Sequence, residues 1–190
     1  MNINNIIERC LNKEVEAEKM LYFAYAKMVY GICRRYTKDD HLAKDYMQDS
    51  FEKLFLNLHK YDAQKGVFDG WVNRLVTNTV LSHLRKPKRY VLQEEIVTDS
   101  LEMADTLPEA DLLELLEQEL ISSRALLEAI RQLPEDYRTV LNLAVFEGWK
   151  HKEIATFLHI AESSSRTKLQ RAKQRLKQLL KCDNKVSTGF

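Results

Sequence analysis

Glycine and proline are scarce in this 190-residue sequence, at five and three residues, too few for an architecture of short strands and tight turns. No apolar run approaches the roughly 18 residues needed to cross a bilayer, and the opening MNINNIIERC lacks the basic-then-apolar order of a secretory signal. A cytoplasmic protein without membrane insertion is expected. The three cysteines, Cys10, Cys33 and Cys182, form no CxxC pair, which excludes a disulfide framework or a zinc knuckle and leaves free thiols, two of them in helix cores. There is no phosphate-cradling glycine loop, no nucleophile elbow and no metal-ligand spacing among His41, His59, His83, His151 and His159. No cofactor, metal or catalysis is expected, and the histidines read as surface or core fillers.

Leu, Ala, Glu, Lys, Gln and Arg, all good helix formers, dominate the long segments, so the expected fold class is all-α. The formal net charge of +1 conceals a segregation of sign. Residues 91–120 hold ten acidic side chains and no basic one, whereas residues 150–181 hold nine basic and two acidic. A basic segment of this kind is the footprint of a phosphate-backbone binder, and equally of an ordinary solvated helix face.

Leu21, Ala24, Tyr25, Met28, Val29 and Ile32 recur at helical spacing within residues 14–36. A second helix begins near Asp39, a capping residue, and turns Leu42, Tyr46, Met47, Phe51, Leu54, Phe55 and Leu58 inward. After the loop KYDAQKG a third runs from Phe68 through Trp71, Leu75, Val76 and Val80 to the cluster Arg85, Lys86, Lys88, Arg89, where Pro87 stops it. The acidic stretch 91–121 reads as a linker. Beyond it a helix begins near Ser122, Leu133-Pro134 breaks the chain with proline in the first turn of the next helix, and Glu147-Gly148 ends that one. Two small helical domains result, residues 1–90 and 122–182, with a tail at 183–190.

The strongest local motif is Trp149–Leu180, with the pattern of a helix-turn-helix. A helix near Lys150–Leu158 with small Ala155 at the crossing precedes the turn His159-Ile160-Ala161 and a longer helix from Glu162. Ile154, Leu158, Ile160 and Leu169 form the expected inter-helix core. Ser164, Ser165 and Lys168 are candidate base contacts, and Arg166, Arg171 and Lys173 candidate phosphate contacts. A surface hairpin with a charged face is the competing interpretation.

In the first domain, Asp45, Gln48 and Asp49 lie at i, i+3 and i+4 on one helix face, an arrangement that suits partner docking and also any solvated surface helix. Arg74, Asn78, Ser82 and Arg85 share a face of the third helix leading into Lys86, and with Lys60 and Lys65 of the preceding loop they are candidates for holding unpaired bases and their backbone. Phe68 and Trp71 read as core.

Taken in order, these segments resemble the extracytoplasmic-function sigma factors over roughly residues 20–89 and 122–181. DYMQDSF is similar to that family's core-polymerase-binding D-x-x-Q-[ED]-x-F helix, which implies that Asp45, Gln48 and Asp49 face RNA polymerase. GVFDGWVNRLVTNTVLSHLRK is similar to the segment that recognises and melts the minus-ten element, implying that role for Lys60, Lys65, Arg74, Asn78, Arg85 and Lys86. The stretch from Leu133 to Leu176 is similar to the domain that reads the minus-thirty-five element, implying that role for Ser164, Ser165, Arg166, Lys168, Arg171 and Lys173. His159 stands where the family usually has Gly, Ser163 and Ser165 where it has Gly and Val, and Ser82 where it has Asp.

The resemblance implies a protein that docks on core polymerase, captures unpaired nontemplate bases with its first domain, anchors upstream promoter duplex with its second, and is restrained by an anti-sigma factor. A stand-alone helix-turn-helix regulator, dimeric and independent of polymerase, is the main alternative. A helical adaptor without a DNA role leaves the charge segregation without a cause.

Overall fold

A computed structural model describes residues 2–85 and 123–187 of the chain, and these form two compact units. Lys86, Pro87 and the acidic stretch 91–121 lie outside the described residues. Among the described residues the secondary structure is helical throughout, in agreement with the all-α expectation.

The first unit opens with a helix that the periodicity did not reveal, α1 (Ile3–Leu11), capped by Asn2, whose Oδ1 accepts from the Asn4 amide at 3.1 Å. It buries Ile6, Ile7 and Cys10. Lys13, in the left-handed region at φ 64°, turns the chain into α2 (Val15–Tyr36). That helix buries Ala17, Leu21, Val29, Ile32, Cys33 and Tyr36; Ala24, expected inside, is exposed, and Tyr25 and Met28 are half-buried. Asp39 caps α3 (Asp40–Asn57) as expected, accepting from the His41 and Leu42 amides at 2.8 and 3.3 Å. Tyr46, Phe51 and Leu54 of α3 point inward, but Leu42, in the first turn at the rim of the bundle, is exposed. A single 3-10 turn (Leu58–Lys60) and a loop lead to α4 (Phe68–Arg85), whose Val72, Val76 and Val80 recur every fourth residue and are fully buried. Each such valine contributes about 1.5–3 kcal/mol through burial. Helices α2, α3 and α4 pack on one another, and α1 packs on α2 and the 3-10 turn.

In the second unit, α5 (Ser123–Gln132) leads to α6 (Glu135–Leu141). Pro134 occupies the N-cap of α6, one residue before the expected first-turn position. Arg138 of α6 is buried because its Nη1 donates to the carbonyls of Arg131 and Leu133, at 3.0 and 3.3 Å, beside the end of α5. Carbonyls at a helix C-terminus have no partner within the helix, and the guanidinium supplies one. A π-type turn (Asn142–Phe146) continues α6, and Gly148, at φ 67°, ends it as expected. Helix α7 (His151–Leu158) is followed by α8 (Glu162–Ser187), which runs into the stretch expected to be a tail. Helices α5, α6 and α7 all pack on α8, which buries Leu169, Ala172, Leu176 and Leu180.

Candidate nucleic-acid and protein-docking surfaces

On α3 the inward Tyr46 and Phe51 fix the rotation of the helix, and that rotation brings Asp45, Gln48 and Asp49 together on the outer face as expected. Asp45 and Gln48 are exposed, and Asp49 is partly so. Exposed Glu52 and Leu56 extend the same stripe along α3. Asp49 also has a neighbour that sequence reasoning passed over as a filler. Nε2 of His83, on α4, lies 2.7 Å from its Oδ2, and the His83 ring stacks on Tyr46 with centroids 5.0 Å apart. The two residues are 34 positions apart, so no local pattern announces the pair.

The second surface is the loop before α4 together with the outer face of α4. Arg74, Asn78 and Ser82 are exposed at i, i+4 and i+8, and Arg85 closes the helix. Lys60, at the end of the 3-10 turn, and Lys65, in the loop, are exposed. Lys60 donates to Asn57 Oδ1 at 2.7 Å, and Lys65 lies 3.2 Å from Asp62 Oδ2. The Asp62 carboxyl is held below the ordinary carboxylate range, first by the Gln64 amide that it accepts and then by Lys65. Phe68 is core, as expected; Trp71 is only half-buried and stacks on it at 5.5 Å. Tyr25 and Tyr61 meet Phe68 edge-on, and the Tyr25 hydroxyl donates to Asp69 Oδ1 at 2.6 Å, tying α2 to the first turn of α4. Burial, and then the Asp69 carboxylate, push the Tyr25 phenol well above its usual range.

The third surface is the helix-turn-helix. Ile154, Ala155 and Leu169 form its buried core, with Leu158 and Ile160 half-buried. The backbone amide of Lys150 donates to Glu153 Oε2 at 2.7 Å, closing the first turn of α7. His159 ends α7 in the left-handed region, at φ 55° and ψ 42°, and the Ile160 amide returns to Ala155 O at 3.1 Å. A histidine stands there in a conformation that favours glycine.

One expected base contact is corrected. Ser165 is fully buried, and its hydroxyl meets His151 Nδ1 at 2.9 Å. It lies one turn before Leu169 on the face that packs against α7, so its side chain joins the two helices and is not on the open face. Lys168 is half-buried, and its Nζ lies 2.7 Å from Asp136 Oδ2 and 5.8 Å from the Tyr137 ring centroid, an ion pair between α6 and α8. Arg166 and Arg171 are exposed, the former paired with Glu162 at 2.6 Å; Ser164 and Lys173 are half-buried. The open face also carries Ser163 and Thr167, which sequence reasoning missed. Counting back from the buried Leu169 and Ala172 in helical steps would have placed Ser165 inside and Ser163 and Thr167 outside.

The two units match two family models in the same order as these surfaces: Sigma-70 region 2 over residues 21–90, and Sigma-70, region 4 over residues 123–176. The chain is 30% identical to the ECF RNA polymerase sigma factor SigM of Bacillus subtilis, over 84% of this chain and 92% of that protein. The chain belongs to the extracytoplasmic-function (ECF) sigma factors. A second relative, the ECF RNA polymerase sigma factor SigW of Bacillus subtilis, is 29% identical over 95% of this chain and 98% of its own. The chain is also similar to the sigma factor RpoE of Bartonella quintana, solved in complex with the anti-sigma factor NepR, at 20% identity and a TM-score of 0.47, covering 89% of this chain and 99% of that one. This ECF sigma factor therefore acts in transcription initiation as a specificity subunit of RNA polymerase, with DNA binding through region 4. A region 2 match on the first unit is not what a stand-alone helix-turn-helix regulator carries, and that alternative is not favoured. Among the described residues no helix is long and apolar enough to cross a membrane.

Proposed function

We propose that the first unit, within residues 1–90, docks on core RNA polymerase through Asp45, Gln48 and Asp49 and takes the unpaired minus-ten bases on Lys60, Lys65, Arg74, Asn78, Arg85 and Lys86. The second unit, within residues 122–182, anchors the minus-thirty-five duplex through Arg166, Arg171 and Lys173, with Ser163, Ser164 and Thr167 at the base edges. Residues 91–121 are the acidic linker. The observation that carries this reading is that one helical unit presents an acidic and amide face on α3 and a separate basic and amide face on α4. One face suits a basic protein partner and the other a phosphate backbone. The chain works by binding alone: contacts made only with separated strands favour the open promoter, and no bond is made or broken by its side chains. The family resemblance adds an anti-sigma partner and a cytoplasmic location.

Gel filtration of the protein with bacterial core polymerase, against the Asp49→Arg variant, tests this reading. Co-elution of the native protein and its loss in the variant are expected. Failure of the intact, folded native protein to co-elute would return the stand-alone regulator to first place.

A further inference from the structure

The contact between His83 and Asp49 joins the two faces of the first unit. Asp49 belongs to the docking stripe of α3, whereas His83 is adjacent to Ser82 on the DNA-facing helix α4. Nε2 of His83 is shut off from solvent and faces Asp49 Oδ2 at 2.7 Å, off the line of a straight hydrogen bond. The ring is held from its other side by Tyr46, at 28° between planes, and Tyr46 is itself buried in the α3–α4 seam. An aspartate at a helix surface normally samples several rotamers, and ordering it on binding costs free energy. Here one carboxylate oxygen is held by a ring that cannot move without unstacking, while among the described residues Oδ1 takes no partner.

We propose that His83 is a positioning residue for polymerase docking. It fixes the Asp49 carboxylate so that Oδ1 is presented to a cationic side chain of the polymerase. This inference rests on the docking role of the Asp45–Gln48–Asp49 face. The ring acts through the carboxylate, so its effect requires Asp49 and falls on the affinity for polymerase, not on the later opening of DNA.

The test is a fluorescence titration of labelled full-length protein with core polymerase, followed by the rate of promoter opening at saturating polymerase. His83→Phe keeps a ring for Tyr46 and removes the contact with Asp49. It is expected to weaken polymerase binding by about five- to tenfold and to leave the saturated opening rate within about twofold. Asp49→Asn is expected to weaken binding at least as much, and the double variant no further than Asp49→Asn alone. His83→Arg, which again places a nitrogen donor beside Asp49, is expected to recover part of the loss.

Unchanged affinity in His83→Phe overturns the proposal. So does a loss that adds fully to that of Asp49→Asn, or an equal fall in the saturated opening rate, since loosened α3–α4 packing would produce either. Asp45→Arg is tested alongside, because Asp45 has no contact with His83 among the described residues. If it leaves binding intact, the docking face itself is wrong; if it abolishes binding while His83→Phe does nothing, only the positioning role fails.

Discussion

The two helices proposed to face DNA differ in how their polar side chains are committed in the free protein. On α4, Arg74 and Asn78 stand exposed and take no partner among the described residues. On α8, Arg166 is paired with Glu162 and Lys168 with Asp136, while Arg171 is exposed and takes no partner among the described residues. A free arginine can follow a flexible single strand at the cost of its own rotamer entropy. A paired one must first give up a surface ion pair worth about 0.2–1 kcal/mol, but it is already aimed. The contrast suits the two proposed targets: separated bases have no fixed geometry, whereas a duplex presents its groove in one form.

The largest expected effect tests which side of α8 is open. Ser165→Arg forces a cation into the fully buried site beside His151 and is expected to cost about 3–5 kcal/mol, whereas Ser163→Arg on the open side is tolerated; thermal unfolding followed by circular dichroism separates them. Equal melting temperatures would remove the basis for calling Ser165 internal. Next, Arg74→Ala is expected to weaken capture of the minus-ten single strand by the polymerase complex by about 1.5–3 kcal/mol, as loss of an unpaired charge-assisted contact. Arg166→Ala, which also releases Glu162, is expected to cost less in upstream duplex binding. Titrations against salt measure both, and a larger loss at Arg166 breaks the contrast.

The entry to each helix offers a smaller test. The loop before α4 uses Gly66 at φ 154°, whereas the turn before α8 uses His159 at φ 55°. His159→Gly is expected to stabilise the second unit by about 1 kcal/mol, read as an increase in the denaturant midpoint. The smallest expected effect is that of Glu162→Gln, which frees Arg166 and makes α8 more like α4. It is expected to tighten upstream duplex binding by about two- to fivefold.

What was legible in the sequence was local. Asp39 caps its helix because the cap is a contact with the next two or three residues. The stop at Gly148 and the break at Leu133-Pro134 are likewise backbone properties of single residues. Asp45, Gln48 and Asp49 were readable as one face because helical spacing alone puts them there. Helix α1 was not anticipated: unlike α6 and α7, it has no proline, glycine or neighbouring motif to mark its ends. The pairings His83–Asp49, Lys168–Asp136 and His151–Ser165 join residues 34, 32 and 14 positions apart, and depend on how helices pack. The last of the three reassigns a residue that the motif alone had given to DNA. A serine where the family has valine was the available sign that position 165 faces inward.

Cys33 lies wholly buried on α2, and its burial pushes the thiol up to about 12. At neutral pH roughly one such sulfur in a hundred thousand is the thiolate that peroxides and disulfides attack. Cys10, also buried, is shifted in the same direction. Neither cysteine of the first unit therefore offers peroxides or disulfides a reactive thiolate.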